Sequence, residues 1–173
     1  LLFIPCFNCA DQVKRVINQL DDKILSDFGV LLVDNCSQDD TMKAMLESLY
    51  QHPSAHSFNL RQNHDNYGLG GSFKMAFHWA RANNYEYFAI LHGDDQADPQ
   101  DLILIYEFIS REKNLSAVFG SRFAMKSKRL NYSLSRWAAN LAFNALTSLL
   151  TQTWINEIGS GLNIFRIKDY SEN

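Results

Sequence analysis

Apolar residues along this chain fall into short continuous runs that alternate with segments of helical spacing. Leu1 to Pro5 reads as a strand, and Asp11 to Leu20 follows with Val13, Val16, Ile17 and Leu20 on one helical face. Val30 to Val33 is a second strand, ending at Asp34-Asn35-Cys36-Ser37. Ser37 opens an S-x-x-D capping pattern into a helix carrying Met42, Met45, Leu46 and Leu49. Ser57 to Leu60 is a short strand. Asn66 to Ser72, N-Y-G-L-G-G-S, is a glycine-rich turn leading to a helix with Phe73, Ala76, Phe77 and Ala80 on one face. Tyr87 to Leu91 is apolar throughout, the pattern of a buried strand. Asp98-Pro99 then supplies an N-cap and a first helical residue for a helix with Leu102, Ile105, Tyr106 and Ile109. Ala117 to Gly120 is another strand. This alternation predicts an α/β fold, a mostly parallel central sheet with helices on both faces.

The last third has a different pattern. Phe123 to Asn131 is basic, with Lys126, Lys128 and Arg129. Ser133 to Trp154 is a long helical pattern, apolar over a wide arc that includes Leu141, Phe143, Leu146, Leu149, Leu150 and Trp154. Such a helix packs against the sheet or a partner, or lies on a membrane surface. Glu157 to Arg166 reads as a turn followed by a strand.

Composition narrows the classes. A hydrophobic fraction of 46% with 20% charged residues is that of an ordinary globular domain. The formal net charge of −3 offers no positive field for nucleic acid. No apolar run reaches the roughly 18 residues of a membrane span. The expectation is one catalytic domain over residues 1–173, a fragment of a longer protein. Three cysteines, Cys6, Cys9 and Cys36, do not make a disulfide framework. Cys6-Phe7-Asn8-Cys9 is nominally C-x-x-C, as in thiol redox proteins, and the simpler reading is two small residues in a tight loop.

The candidate chemistry centres on Tyr87 to Pro99, Y-F-A-I-L-H-G-D-D-Q-A-D-P. A strand there delivers polar groups to its carboxyl end, where open α/β sheets bind ligands. If the chain stays extended past Leu91, His92, Asp94 and Gln96 point to one side and can grip a divalent cation.

Several segments, in order, resemble family 2 glycosyltransferases. Ile4-Pro5-Cys6-Phe7-Asn8 is similar to an I-P-x-[YF]-N opening. Leu31 to Thr41 resembles V-D-D-x-S-x-D-x-T, and Asn66-Tyr67-Gly68 resembles N-x-G. Leu91 to Pro99 resembles D-x-D-x-Q-x-x-P, with His92 where the family usually has Asp. Gly120-Ser121-Arg122, Ser135 to Asn140 and Ser160 to Arg166 resemble later segments of the dolichyl-phosphate mannose synthase branch.

The resemblance implies a GT-A fold and an inverting transfer from a GDP- or UDP-linked sugar to a polyprenyl phosphate. A divalent cation, Mn2+ or Mg2+, would offset charge on the leaving diphosphate, held by Asp94 with Gln96 and His92 as further ligands. His92 has two other readings, a cation on the diphosphate or a neutral core histidine. Asp34 is implied as the nucleotide-binding aspartate; the second Asp of that motif is Asn35 here. Pro5, Phe7 and Asn8 would form the other wall of the nucleotide site, with Asn66 and Gly68 close by. Arg122 and Arg136 would grip the acceptor phosphate, which is already ionised and needs no strong base. Asp95 reads as a solvated neighbour, and Asp98 and Asp101 as helix N-terminal residues. The implied location is the cytoplasmic face of a membrane, peripheral or anchored. Other readings are transfer to a saccharide hydroxyl with Glu157 as base, a non-catalytic nucleotide-binding module, and a thiol–disulfide protein.

Overall fold

A computed structural model describes residues 1–121, 134–154 and 160–170, with the side chains of 134–137 left out of the description. Six strands form one sheet: β1 Leu2–Cys6, β2 Val30–Asp34, β3 Phe58–Gln62, β4 Tyr87–Leu91, β5 Ala117–Phe119 and β6 Leu162–Arg166. Their order is β3-β2-β1-β4-β6-β5. The pairs β1–β2, β1–β4 and β2–β3 are parallel, whereas β6 runs antiparallel to both its neighbours. The helices are α1 Ala10–Gln19, α2 Asp22–Asp27, α3 Thr41–Gln51, α4 Gly68–Ala82, α5 Asp101–Arg111 and α6 Leu134–Thr151.

The continuous apolar runs arise because the central strands are covered on both faces. Leu2, Ile4, Val30, Leu32, Ala89 and Leu91 pack with Val13, Ile17, Ile24, Met45 and Leu102 of α1, α2, α3 and α5. The alternate residues Phe3, Leu31, Val33, Phe88 and Ile90 point to the other face and meet Ala76 and Ala80 of α4. Phe73 and Phe77 complete that layer by edge contacts with Phe88.

Arg166, on β6, is 4% exposed and closes the end of α5. Its guanidinium donates to the carbonyls of Ile109 (2.7 Å), Lys113 (3.1 Å) and Glu112 (3.2 Å). A helix end leaves such carbonyls without intrahelical partners, and a buried cation satisfies them.

Three local expectations are corrected. Helix α5 begins at Asp101, not at Pro99; Asp98 caps a preceding turn by accepting from Gln100 N–H at 2.9 Å. Helix α3 begins at Thr41, so Ser37 is not its cap. Asp39 accepts from Thr41 N–H at 3.0 Å, while Ser37 Oγ accepts from Asn8 N–H at 3.0 Å. The glycine-rich segment is helical from Gly68 onward, entered through a left-handed φ of +66° that glycine tolerates. Helix α2 was not foreseen, because six residues are too few for a periodic signal.

Helix α6 leaves much of its apolar arc uncovered. Leu141 and Leu146 are about half exposed, Leu149 and Leu150 are 76% and 74% exposed, and Trp154, three residues past the helix end, is 84% exposed. Asn144 is its buried polar residue, at 5%. Among the described residues no helix is long and apolar enough to cross a membrane.

Candidate functional site

The carboxyl ends of β1, β2 and β4 converge with the start of α4 around a cleft of about 200 Å³. β1 and its loop contribute Pro5, Cys6, Phe7 and Cys9; the end of β2 contributes Asn35. Leu69 and Ser72 come from α4, and His92, Gly93 and Asp94 from the turn after β4. This is the edge of a parallel sheet where loops diverge and ligands gain access.

The strand after Tyr87 stops at Leu91 and the chain turns at Gly93-Asp94. The expected period-two alignment of His92, Asp94 and Gln96 is therefore not formed. His92 and Asp94 line the cleft; Gln96 does not. Gly93 makes the turn possible. Its N–H donates to Pro5 O at 3.1 Å, and a Cβ there would meet Cys6 Sγ at 2.5 Å. His92 N–H donates to Gly161 O at 3.1 Å, which ties the turn to the approach to β6.

Asp95 takes a left-handed φ of +60° and turns its carboxylate back to α1. Arg15 Nε donates to its Oδ2 at 2.6 Å and Gln19 Nε2 to its Oδ1 at 3.5 Å. Asp95 is thus ion-paired rather than merely solvated. Nothing in the sequence pattern marks Arg15, which lies on the polar face of an ordinary amphipathic helix.

Asp94 is the unusual member. Its Oδ1 is buried and has no hydrogen-bond partner among the described residues. Leaving a buried acceptor unpaired costs about 1–3 kcal/mol, more when it is charged. Such an atom calls for a cation or donor from outside the chain. No group of three or more His, Cys, Asp or Glu side chains converges as a metal cage among the described residues. One carboxylate in an open cleft instead suits a cation that shares its coordination with substrate phosphates.

The opposite wall is a polar network centred on Asn35, 5% exposed. Its Oδ1 accepts from Asn63 Nδ2 (2.7 Å), Tyr67 N–H (3.1 Å) and Ser72 Oγ (3.1 Å). Its Nδ2 donates to Asn66 Oδ1 at 2.7 Å, and Asn66 Oδ1 also accepts from Gly68 N–H at 2.9 Å. Asn66 and Gly68 therefore shape the entry to α4. Asp34 is fully buried: Oδ1 accepts from Ser37 N–H (3.2 Å) and Oδ2 from Gln62 Nε2 (2.9 Å). It holds the loop after β2, and Asn35 beside it faces the cleft.

Phe7 is 46% exposed on the cleft wall. Asn8, at φ +50°, stitches the first loop to the second by accepting from Gln38 N–H at 2.8 Å. Cys9 N–H donates to Thr41 Oγ1 at 2.8 Å. Cys6 Sγ donates to Ile4 O at 3.7 Å. The neighbouring Cys9 thiol and burial hold the Cys6 thiol well above its usual range, and the Cys6 thiol lowers Cys9.

The family model "Glycosyl transferase family 2" matches residues 2–172. The chain belongs to this glycosyltransferase family. A chondroitin synthase of Escherichia coli is 24% identical over 118 residues, 68% of this chain and 16% of that protein. A UDP-N-acetylglucosamine–dolichyl-phosphate N-acetylglucosaminyltransferase of Methanococcus voltae is 25% identical over 173 residues, 95% of this chain and 68% of that protein. Among solved structures, a mannosyltransferase of Pyrobaculum calidifontis in complex with GDP-Man and Mn2+ superposes with TM-score 0.64 at 16% identity. That match covers 95% of this chain and 43% of the other. Glucosyl-3-phosphoglycerate synthase of Mycobacterium tuberculosis, with Mn2+, UDP and phosphoglyceric acid, gives 0.63 at 12% identity, covering 96% and 55%. These likenesses show the GT-A fold. The chain thus spans a small part of one curated relative and about half of the solved glycosyltransferases.

Of the other expected site residues, Arg122 and Glu157 lie outside the described residues, as do Lys126, Lys128 and Arg129. Arg136 lies on α6, and its side chain is outside the description. The family motifs pointed to the loops after β1, β2 and β4. They did not show that Cys6, Cys9 and Asn35 face the cleft; Leu69 and Ser72, three apart on α4, carried a weak signal as one helical face.

Proposed function

We propose that the cleft binds the diphosphate of a nucleotide-linked sugar together with a divalent cation, and that the sugar passes with inversion to a polyprenyl phosphate. The observation that carries this reading is the buried, unpartnered Oδ1 of Asp94 at the carboxyl edge of the sheet. Asp94 would hold the cation, with His92 as the second donor of the same cleft; Gln96 has no place in that wall. When bound, the cation supplies neutralisation of the charge that develops on the leaving diphosphate. The relatives crystallised with GDP-Man or UDP and Mn2+ support the same choice of ligands.

The chain's own residues have distinct tasks. Phe7 and Pro5 offer an apolar wall to the base, and Asn8 keeps that wall in register with the loop after β2. Asp34 acts through this loop by holding Ser37 N–H, and Asn35, Asn66 and Gly68 fix the other wall. Arg15 and Asp95 set the turn that aims Asp94. Arg122 and Arg136 are the proposed clamps for the acceptor phosphate. A phosphate acceptor is already a nucleophilic anion near neutral pH, so positioning replaces base catalysis.

The dolichyl-phosphate transferase likeness supports the lipid-phosphate acceptor. So does the exposed apolar arc of α6, which has no charged residue between Trp137 and Asn156 and suits a membrane surface. The chondroitin synthase likeness favours a second reading, transfer to a saccharide hydroxyl with Glu157 as base. Purified chain with Mn2+ and GDP- or UDP-sugars, given either polyprenyl phosphate or oligosaccharide, separates the two. Lipid-linked product that survives Glu157→Gln supports the proposal. Product only with oligosaccharide, lost in Glu157→Gln, replaces it with the second reading.

A further inference from the structure

The proposed transfer uses Phe7 and Pro5 on one wall of the cleft and gives no task to the large apolar residue of the other wall. Leu69 lines the cleft from the first turn of α4 and is 52% exposed; Phe7, on the loop after β1, is 46% exposed. Ser72, three residues on, lines the same cleft and is 1% exposed. The helix thus buries a hydroxyl and leaves a leucine half in water, the reverse of the usual partition. Ser72 is buried because it completes the Asn35 network, donating to Asn35 Oδ1 at 3.1 Å and accepting from Asn63 Nδ2 at 3.0 Å. α4 packs on the sheet through Phe73, Ala76, Phe77 and Ala80, and that layer does not include Leu69.

Leu69 also stands between two glycines. A Cβ at Gly68 or at Gly70 would meet no atom within 4 Å, so the leucine rises from open surface with room on either side. Its position is nevertheless fixed. Tyr67 N–H donates to Asn35 Oδ1 at 3.1 Å and Gly68 N–H to Asn66 Oδ1 at 2.9 Å. Gly71 lets the Tyr67 side chain lie close across the first turn, where a Cβ would meet Tyr67 Cβ at 2.7 Å.

We propose that Leu69 is a specificity-determining residue: with Phe7 it forms an apolar slot for the faces of the nucleotide base, so that the cleft prefers a base-bearing diphosphate to the diphosphate alone. The slot rests on the nucleotide reading of the cleft. A flat heteroaromatic ring has two faces to remove from water, and a single aromatic wall covers one of them. The second face is covered only when the facing wall offers apolar surface as well. Leu69 supplies that surface on a rigid helix start, and the glycines beside it leave the ring space to enter.

The test measures Kd by calorimetry, in Mn2+, for pyrophosphate and for whichever of GDP and UDP binds. Leu69→Ser should weaken the nucleotide about tenfold, as expected for losing part of a leucine's burial, and leave pyrophosphate within about twofold. Leu69→Gln, similar in length but polar, should lose about as much nucleotide affinity, and it carries the comparison if the serine variant fails to fold. Leu69→Met keeps the apolar area and should stay within about threefold for both ligands. A folded Leu69→Ser or Leu69→Gln chain that binds nucleotide as tightly as the parent, or loses pyrophosphate by the same factor, overturns the slot. A parent chain that binds pyrophosphate as tightly as the nucleotide also overturns it and leaves the cation–diphosphate reading standing. A parent chain that binds neither refutes that reading and the slot with it.

Discussion

Arg15 Nε donates to Asp95 Oδ2 at 2.6 Å, so the first helix grips the residue next to Asp94. The pair is half exposed on the arginine side and 17% exposed on the aspartate side. An ion pair at such a surface contributes at most about 1 kcal/mol to folding. Its greater effect is on geometry, because Asp95 sits at φ +60° and a small rotation there re-aims the preceding carboxylate. Arg15→Ala should lower stability by no more than about 1 kcal/mol. Misplaced reacting groups cost up to about a hundredfold in rate, and a loss of about tenfold in kcat is expected here. Arg15→Lys should recover part of it. Urea unfolding and steady-state transfer kinetics measure the two effects; unchanged kcat in Arg15→Ala contradicts the positioning role.

Asp94→Asn should also separate function from stability. Only Oδ1 of the carboxylate is buried without a partner, and an amide at the same place leaves the fold's own hydrogen bonds intact, so the ligand-free chain should change in stability by no more than about 1 kcal/mol. The same variant should lose manganese-dependent nucleotide affinity. Calorimetric titration with and without Mn2+ checks the second part, and chemical denaturation checks the first.

Asn35 should tolerate exchange only for an acceptor. Asn35→Leu strands the Tyr67 N–H and leaves Asn63 and Ser72 only their bond to each other, at a cost of about 1–3 kcal/mol. Asn35→Asp keeps every acceptor contact and loses less than half as much, provided the Asn66 amide turns to donate. Denaturant midpoints of the two variants give the comparison.

Asp21 gives a pH-dependent contribution. It caps α2 by accepting from Ile24 N–H at 3.0 Å and accepts from Gln100 Nε2 at 3.1 Å. The Ile24 N–H bond, with the Gln100 contact, holds its carboxyl below the usual range. A lowered folded pKa means stability that is present above the unfolded value, about 3.9, and is lost as pH falls through the folded value. Asp21→Ala should therefore cost about 1 kcal/mol at pH 7 and less toward pH 3. Unfolding curves across that range test the trend.

The sheet was legible because strands covered on both faces need uninterrupted apolar runs, as in Val30 to Val33 and Tyr87 to Leu91. The direction and place of β6 were not, because antiparallel insertion between β4 and β5 depends on pairing partners far along the chain. Cap positions misled for a related reason. Ser37 and Asp98 have the right side chains, but each finds a nearer donor in a turn. At the site, the polar cluster after Leu91 located the cleft, yet the turn at Gly93 sends Asp94 into it and leaves Gln96 out. That turn is set by Pro5 and Cys6 on a neighbouring strand, and so is Arg15's hold on Asp95 a matter of tertiary packing.

The central claim is that the cleft around Asp94 binds a nucleoside diphosphate through a cation. Thermal unfolding of the chain with GDP or UDP, in Mn2+ and in a chelator, tests it most directly. One of the two nucleotides should stabilise the chain by about 2.7 kcal/mol at a hundred times Kd, and only when Mn2+ is present. Equal shifts with the chelator, or no shift with either nucleotide, would contradict the account.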